Sequence, residues 1–278
     1  MKTLILCCIL FFAVNALHAQ KGNLFIIGGG DRTPVIMKSM MQTAQLSKSD
    51  FIAILPMSSA EPDTSFYYIK QDLDSVCTNT VAFLNFTKDK VNDKIWLDSL
   101  KKAKLIFITG GDQSRFMKAV LHTPVYDAIH DAYNNGSTVA GTSAGAAVMS
   151  KHMVTGNQVR GDTEYHATFD RIWNKNIEFE EGLGLVDSSI IIDQHFVVRS
   201  RYNRMISALE AYPTFTCIGI DESTAIIVHG KTIKIAGESQ VIVMQQPKNI
   251  RSTENGLIKF DAVSMRIYTS GDSFTVEK

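Results

Sequence analysis

The chain has 278 residues, of which 45% are hydrophobic and 20% charged, so there is enough apolar material for one large globular domain. Lys plus Arg (28) balances Asp plus Glu (28), and this neutrality argues against nucleic acid as the main partner. No repeat at solenoid spacing and no low-complexity tract is present.

The first residues stand apart. Lys2 precedes an apolar run from Leu4 to Val14, which is too short for a membrane span, and small residues follow up to Ala19. This pattern predicts a cleaved signal peptide over residues 1–19, an exported mature domain over 20–278 and no membrane span in that domain. Cys7 and Cys8 leave with the peptide. Cys77 and Cys217 remain, both in strand-like surroundings, and are read as buried free thiols.

Leu24 to Ile27 has strand length and ends in Gly28-Gly29-Gly30. This is not the dinucleotide fingerprint, but three glycines let the backbone approach a neighbour closely. Pro34 opens a helix to about Leu46, with Val35, Met37, Met40 and Met41 as its apolar stripe. Strands follow at Phe51 to Leu55, Asn79 to Leu84 and Lys104 to Thr109. Between and after them lie helices at about Thr64 to Leu73, Asp93 to Lys102, Ser114 to Leu121 and Pro124 to Tyr133. Ser137 to Ala140 is a short buried strand, and a helix is predicted from Ala146 onward.

Strands alternating with helices predict a three-layer α/β/α fold with a mostly parallel central sheet. Ligands in such sheets bind beyond the carboxyl ends of the strands. Residues 151–181 read as a polar loop region with short helices and two acidic clusters, Asp162 with Glu164 and Glu178 with Glu180 and Glu181. A strand from Leu185 to Ile192, a helix from Arg201 to Ala211 and a strand from Thr216 to Ile220 come next. Three short hairpin strands then run through Ala225 to Met244, and the remainder is β-like.

Gly141-Thr142-Ser143-Ala144-Gly145 sits between a strand and a helix, the context of a nucleophile elbow. A serine on so sharp a turn needs small neighbours. Its hydroxyl also needs a base held by a third group. Of seven histidines, His195 follows a strand end, and Glu222 ends another strand. The order Ser, His, Glu differs from the Ser, acid, His order of α/β-hydrolases. Asp193 and His195 alternate with Gln194 along the strand. Arg201 and Arg204 share a helix face, while Arg199 precedes the helix. Guanidinium forks of this kind pair with carboxylates. Backbone N–H groups of Ala144 and Gly111 are the candidate oxyanion donors. No metal-ligand spacing appears, so neither metal nor other cofactor is expected.

Four motifs occur together and in order: Gly110-Gly-Asp-Gln113, Gly141 to Ala146, Asp193 to Phe196 with its three arginines, and Gly219-Ile-Asp-Glu-Ser-Thr-Ala225. Over Leu24 to Met244 the chain resembles the cyanophycinase family of serine peptidases, peptidase family S51. The resemblance implies a fold like that of class I glutamine amidotransferases, with Ser143 as nucleophile, His195 as base and Glu222 as the third member. It also implies a substrate pocket of Gln113, Asp193, Gln194, Arg199, Arg201 and Arg204. The sequence departs from the family at Asp31-Arg32 and at Val198, Ser200 and Asn203, which flank the arginines.

The expected partner is a peptide or polyamide bearing aspartyl and arginyl groups, cyanophycin first. An α-aspartyl dipeptide is the alternative substrate. An esterase based on His229 fails for want of an acid before the histidine. A non-catalytic binding protein sits poorly with an intact Ser143, His195 and Glu222. A homodimer is left open.

Overall fold

The computed structural model describes residues 21–161, 164 and 166–276. The predicted signal peptide and Asp162 therefore lie outside the described residues. Five strands are mutually parallel: β1 (Leu24–Ile27), β2 (Phe51–Leu55), β3 (Thr80–Phe83), β4 (Leu105–Ile108) and β5 (Thr138–Thr142). The helices between and after them are α1 (Pro34–Ala44), α2 (Pro62–Asp74), α3 (Lys94–Lys102), α4 (Gln113–Val120), α5 (Pro124–Asn134) and the single turn α6 (Ala144–Ala147). The rest of the chain forms β6 (His152–Gln158), β7 (Ile177–Glu181), β8 (Ile190–Gln194), α7 (Tyr202–Ala211), β9 (Thr216–Ile220), β10 (Thr224–His229), β11 (Thr232–Gly237) and β12 (Val241–Lys248). It closes with β13 (Arg251–Ser252), β14 (Ile258–Lys259), β15 (Ala262–Tyr268) and β16 (Ser273–Thr275).

The architecture is three-layer α/β/α. The central sheet has the order β16-β11-β10-β1-β5-β4-β2-β3, with the parallel strands extended by an antiparallel edge from β10 onward. Side chains alternate across it as a pleat requires. Phe25, Ile27, Ile52, Ile54 and Phe107 pack with Ile36, Met37 and Met40 of α1 and Ile69 and Leu73 of α2. Leu24, Ile26, Ala53, Ile106 and Ile108 face the other way, against Leu100 of α3, Phe116 and Val120 of α4 and Ile129 of α5. Both faces are covered, so the strands read as near-continuous apolar runs. Helix starts follow local chemistry: Asp93 accepts from the Ile95 and Trp96 amides, Asp112 from that of Arg115, and Thr123 precedes Pro124 at the first turn of α5.

Several expectations need correction. Val35 points outward, and Ile36 and Ala44 join Met37 and Met40 in the buried stripe of α1. The helix after Ser143 is one turn, Ala144–Ala147, so it is shorter and earlier than predicted. Residues 151–181 hold two strands where only a polar loop with short helices was expected: β6 and β7 flank the loop and pair antiparallel. The strand read as Leu185 to Ile192 is Ile190–Gln194. The apolar residues before it are buried loop, their amides tied to the end of α6 by Leu183 N–H to the Val148 carbonyl and Leu185 N–H to that of Met149. Cys77 follows α2 rather than lying in a strand and is half-buried; Cys217 is fully buried in β9, and both are free thiols. Burial pushes the Cys217 thiol far up, so it stays protonated.

A second sheet has the order β15-β12-β9-β8, with β8 and β9 parallel. Ile192, Ile218, Ile220, Val241 and Val243 turn one face of it into the core shared with the central sheet. Ile191, Cys217, Ile242 and Met244 turn the other toward Met205, Ala208 and Leu209 of α7. The strands before His195 and Glu222 thus belong to a different sheet from the strand before Ser143.

Candidate active site

Ser143 stands at the carboxyl end of β5 with φ 54° and ψ −111°, an arrangement of order 1–3 kcal/mol above relaxed backbone that only a surrounding structure can hold. The two motif glycines explain how. A Cβ on Gly141 would lie 2.3 Å from the Gly145 carbonyl oxygen, and one on Gly145 would lie 2.3 Å from that of Ile108. Neither position accepts a side chain, so the elbow closes tightly on the sheet. The Ser143 amide donates to the Ile27 carbonyl at the end of β1.

His195 also has positive φ, 49°, which ends the strand alternation of β8 and turns the ring toward Ser143. Its amide donates to the Gly28 carbonyl, and the Ser223 amide donates to that of Gly29. The end of β1 and the glycine loop after it therefore tie together all three segments that bring the site residues. The loop must be glycine for a steric reason: a Cβ on Gly29 would lie 2.3 Å from Cε1 of His195, and one on Gly30 2.7 Å from Cβ of Glu222. Asp221 adds support that the sequence reading missed. It accepts from the Val197 and Val198 amides and from the Ser239 hydroxyl, fixing the turn after His195.

The result is a hydrogen-bonded relay. Ser143 Oγ and His195 Nε2 are 2.8 Å apart, and His195 Nδ1 is 2.6 Å from Glu222 Oε1. The carboxylate fixes the proton on Nδ1, leaving Nε2 to accept from the serine. Burial depresses the pKa of His195, an effect the Glu222 hydrogen bond opposes and the charges of Arg199 and Arg201 assist, so the ring is held below its ordinary value. A neutral imidazole at pH 7 is the form that can take a proton.

Next to Ser143 opens a cavity of about 540 Å³. Gly111, Gln113, Gln194, Arg199, Arg201 and Arg204 line it together with Ser143, so most of the expected pocket residues converge. Asp193 does not line it. It is 3% exposed and sits behind the arginines, accepting from Nε and Nη2 of Arg204 and lying 3.6 Å from Arg201. Burial works to raise its pKa and is the largest single influence, but the Arg204 charge and hydrogen bond, with Arg201, hold it below the usual carboxylate value. Arg201 also donates to the Gln194 carbonyl, Gln194 Oε1 and the Ala167 carbonyl. The arginine wall is therefore rigid and preorganised. Gln113 donates to the Val154 and Thr155 carbonyls and fastens α4 to β6.

Glu178 and Glu180 also line the cavity, two apart on β7 and so on one face of it. The sequence showed these acids as a cluster but not the strand that aims them. A second, smaller cavity of about 260 Å³ touches Ser143 from another side, lined by Gly29, Gly30, Arg32, Tyr68 and Gly110 among others. His229 lies elsewhere: it pairs with β11 past Val228, which faces Leu24 at the start of β1, at the sheet edge away from Ser143. That position removes it as a base for the serine.

A serine on a strand-to-helix elbow, bonded to an imidazole that a carboxylate holds, defines the class of serine hydrolases on an α/β sheet. The comparisons narrow this. The sequence pattern of peptidase family S51 matches residues 24–236, and the chain belongs to that family. It is a serine peptidase. It is 30% identical over 268 residues to the cyanophycinase of Trichormus variabilis, covering 92% of this chain and 86% of that one. It is 33% identical over 197 residues to the cyanophycinase of Geminocystis herdmanii, covering 69% and 68%. A crystal structure of a peptidase from an acI-B1 Actinobacterium shares the fold with a TM-score of 0.68 at 20% identity, covering 93% of this chain and 98% of that one. Among the described residues, no helix is long and apolar enough to cross a membrane.

Proposed function

We propose that this serine peptidase is exported and opens aspartyl linkages, those of cyanophycin first, releasing β-Asp-Arg dipeptides. The observation that carries the reading is a Ser143–His195–Glu222 relay opening onto a cavity lined by both arginines and carboxylates. Cyanophycin is an aspartate backbone with arginine on each side-chain carboxyl, so each unit presents the free α-carboxylate of that arginine and its guanidinium. Arg199, Arg201 and Arg204 line the cavity, the last two backed by the buried Asp193, and their guanidinium groups suit substrate carboxylates. Glu178 and Glu180, which line the cavity where the buried Asp193 does not, face the substrate guanidinium. The curated cyanophycinases at similar length support the same substrate.

In the chemistry this implies, Ser143 Oγ attacks the scissile carbonyl while its proton passes to His195 Nε2. The carbonyl oxygen gains negative charge, which the amides of Ala144 and Gly111 receive; the first amides of a helix have no carbonyl behind them to satisfy. The C–N bond then breaks, and the imidazolium returns its proton to the leaving nitrogen. Water repeats the sequence on the acyl-serine, giving the free acid and restoring the hydroxyl. Glu222 holds the ring and stabilises its charged form.

The test is a side-by-side rate comparison on cyanophycin, β-Asp-Arg oligomers, α-aspartyl dipeptides and oligo-alanine. Release of β-Asp-Arg at the highest kcat/KM is expected. Preference for α-aspartyl dipeptides would make the protein a dipeptidase with the same serine chemistry, and preference for oligo-alanine would refute the charged-pocket reading. Export is tested by the N-terminal sequence of protein from cells, expected to begin at or near Gln20; retention of Met1 to Ala19 would refute it.

A further inference from the structure

We propose that the smaller cavity beside Ser143 is the leaving-group subsite, and that Arg32 within it binds the terminal carboxylate of a short leaving fragment. The inference rests on the serine-relay reading and goes on to say which half of the substrate lies where. Ser143 borders both cavities, and the two oxyanion-loop glycines are split between them, Gly110 in the smaller and Gly111 in the larger. A linkage lying over Ser143 Oγ must send one half into each.

The position of the imidazole decides which. The leaving nitrogen takes its proton from His195 Nε2, so the fragment it belongs to lies on the histidine's side. The His195 ring rests on Gly29, where a Cβ would stand 2.5 Å from Nε2, and Glu222 packs on Gly30. Both glycines wall the smaller cavity. The acyl half, on the far side of the carbonyl, then occupies the arginine-walled cavity.

The smaller cavity is built for one end of a chain. At about 260 Å³ it has under half the volume of its neighbour. Arg32 is held in it by Asp72: Nε donates to Oδ2 at 2.6 Å, an engagement of Nε alone that leaves the terminal edge of the guanidinium fork to meet a carboxylate. Tyr68, more than half exposed on α2, supplies an aromatic wall. A neutral amide at the end of the leaving residue gives Arg32 no counter-charge, whereas a free carboxylate there does.

The experiment compares two aspartyl peptides with the same acyl half whose leaving residue ends in a free carboxylate or in a carboxamide. The wild-type protein is expected to favour the carboxylate by about tenfold or more in kcat/KM, the range of a charge-assisted hydrogen bond. Arg32→Gln should bring that ratio close to one. Arg32→Lys should keep the preference at a reduced ratio, and serves where Arg32→Gln does not fold. A wild-type ratio near one, or an Arg32 variant that lowers both peptides equally, overturns the assignment. Ser143→Ala, assayed on the same pair, tests the underlying reading separately: cleavage that survives it would sink the serine relay whatever Arg32 does.

Discussion

Asp193→Asn tests whether the arginine wall is held by one buried charge. The substitution keeps the shape of the side chain and one acceptor oxygen, so packing is preserved. It removes a buried carboxylate that Arg201 and Arg204, at 1% and 2% exposure, both meet. Breaking a buried ion pair on one side costs roughly 3–5 kcal/mol, because the partner charge stays behind. For a chain of this size that is a fall of roughly 6–20 °C in Tm. The pH dependence carries a sign. The folded-state pKa of Asp193 is depressed below the ordinary value of 3.8, so its stabilisation is present in full above that value and is lost as pH falls through the folded one. The assay is thermal unfolding of both proteins near neutral pH and near pH 3. The gap between wild type and variant should be large at neutral pH and shrink in acid. A change under about 2 °C at neutral pH, or a gap that widens in acid, would refute the reasoning.

Three further outcomes follow from the site geometry. The acid limb of kcat/KM should fall below pH 6.5, because burial depresses His195 and the ring must be neutral to act; Glu222→Gln removes an influence that raises the pKa, so it should move the limb further into acid while lowering the plateau, as a pH–rate profile would show. Gly29→Ala should cut kcat/KM by about a hundredfold, since its Cβ would displace an imidazole held to near-attack geometry, whereas Gly230→Ala, with nothing within 4 Å, should leave the rate unchanged. Arg204→Ala should lower kcat/KM on β-Asp-Arg substrates by about tenfold or more, with a much smaller effect on acylation by a small neutral serine-directed reagent.

The parallel sheet was legible because its strands are buried on both faces and its helices carry strong starts, so β1 and β2 fall where the apolar runs place them, as does the buried β9 of the second sheet. The elbow and its glycines were legible because sterics leave no alternative residue. Sheet membership was not. Nothing local in Ile190–Gln194 says that it pairs with β9 and not with β5, since strand order is set by long-range packing. The apolar residues Leu183 to Val186 mimic a strand without forming one, because run length alone cannot separate strand from buried loop. The β6–β7 pair escaped notice since its polar residues face a cavity and its register shifts between Val154 and Gln158. That is why Glu178 and Glu180 were seen as an acidic cluster, while Asp193, legible as a site residue, turned out to support the arginines from behind.

The central claim is that Ser143 is made nucleophilic by His195, and the most direct measurement is the rate and location of labelling by a serine-directed fluorophosphonate. Peptide mapping should find the label on Ser143, and His195→Ala should slow its attachment by about a hundredfold or more. A label on a different serine, or a rate unchanged by His195→Ala, would contradict the account.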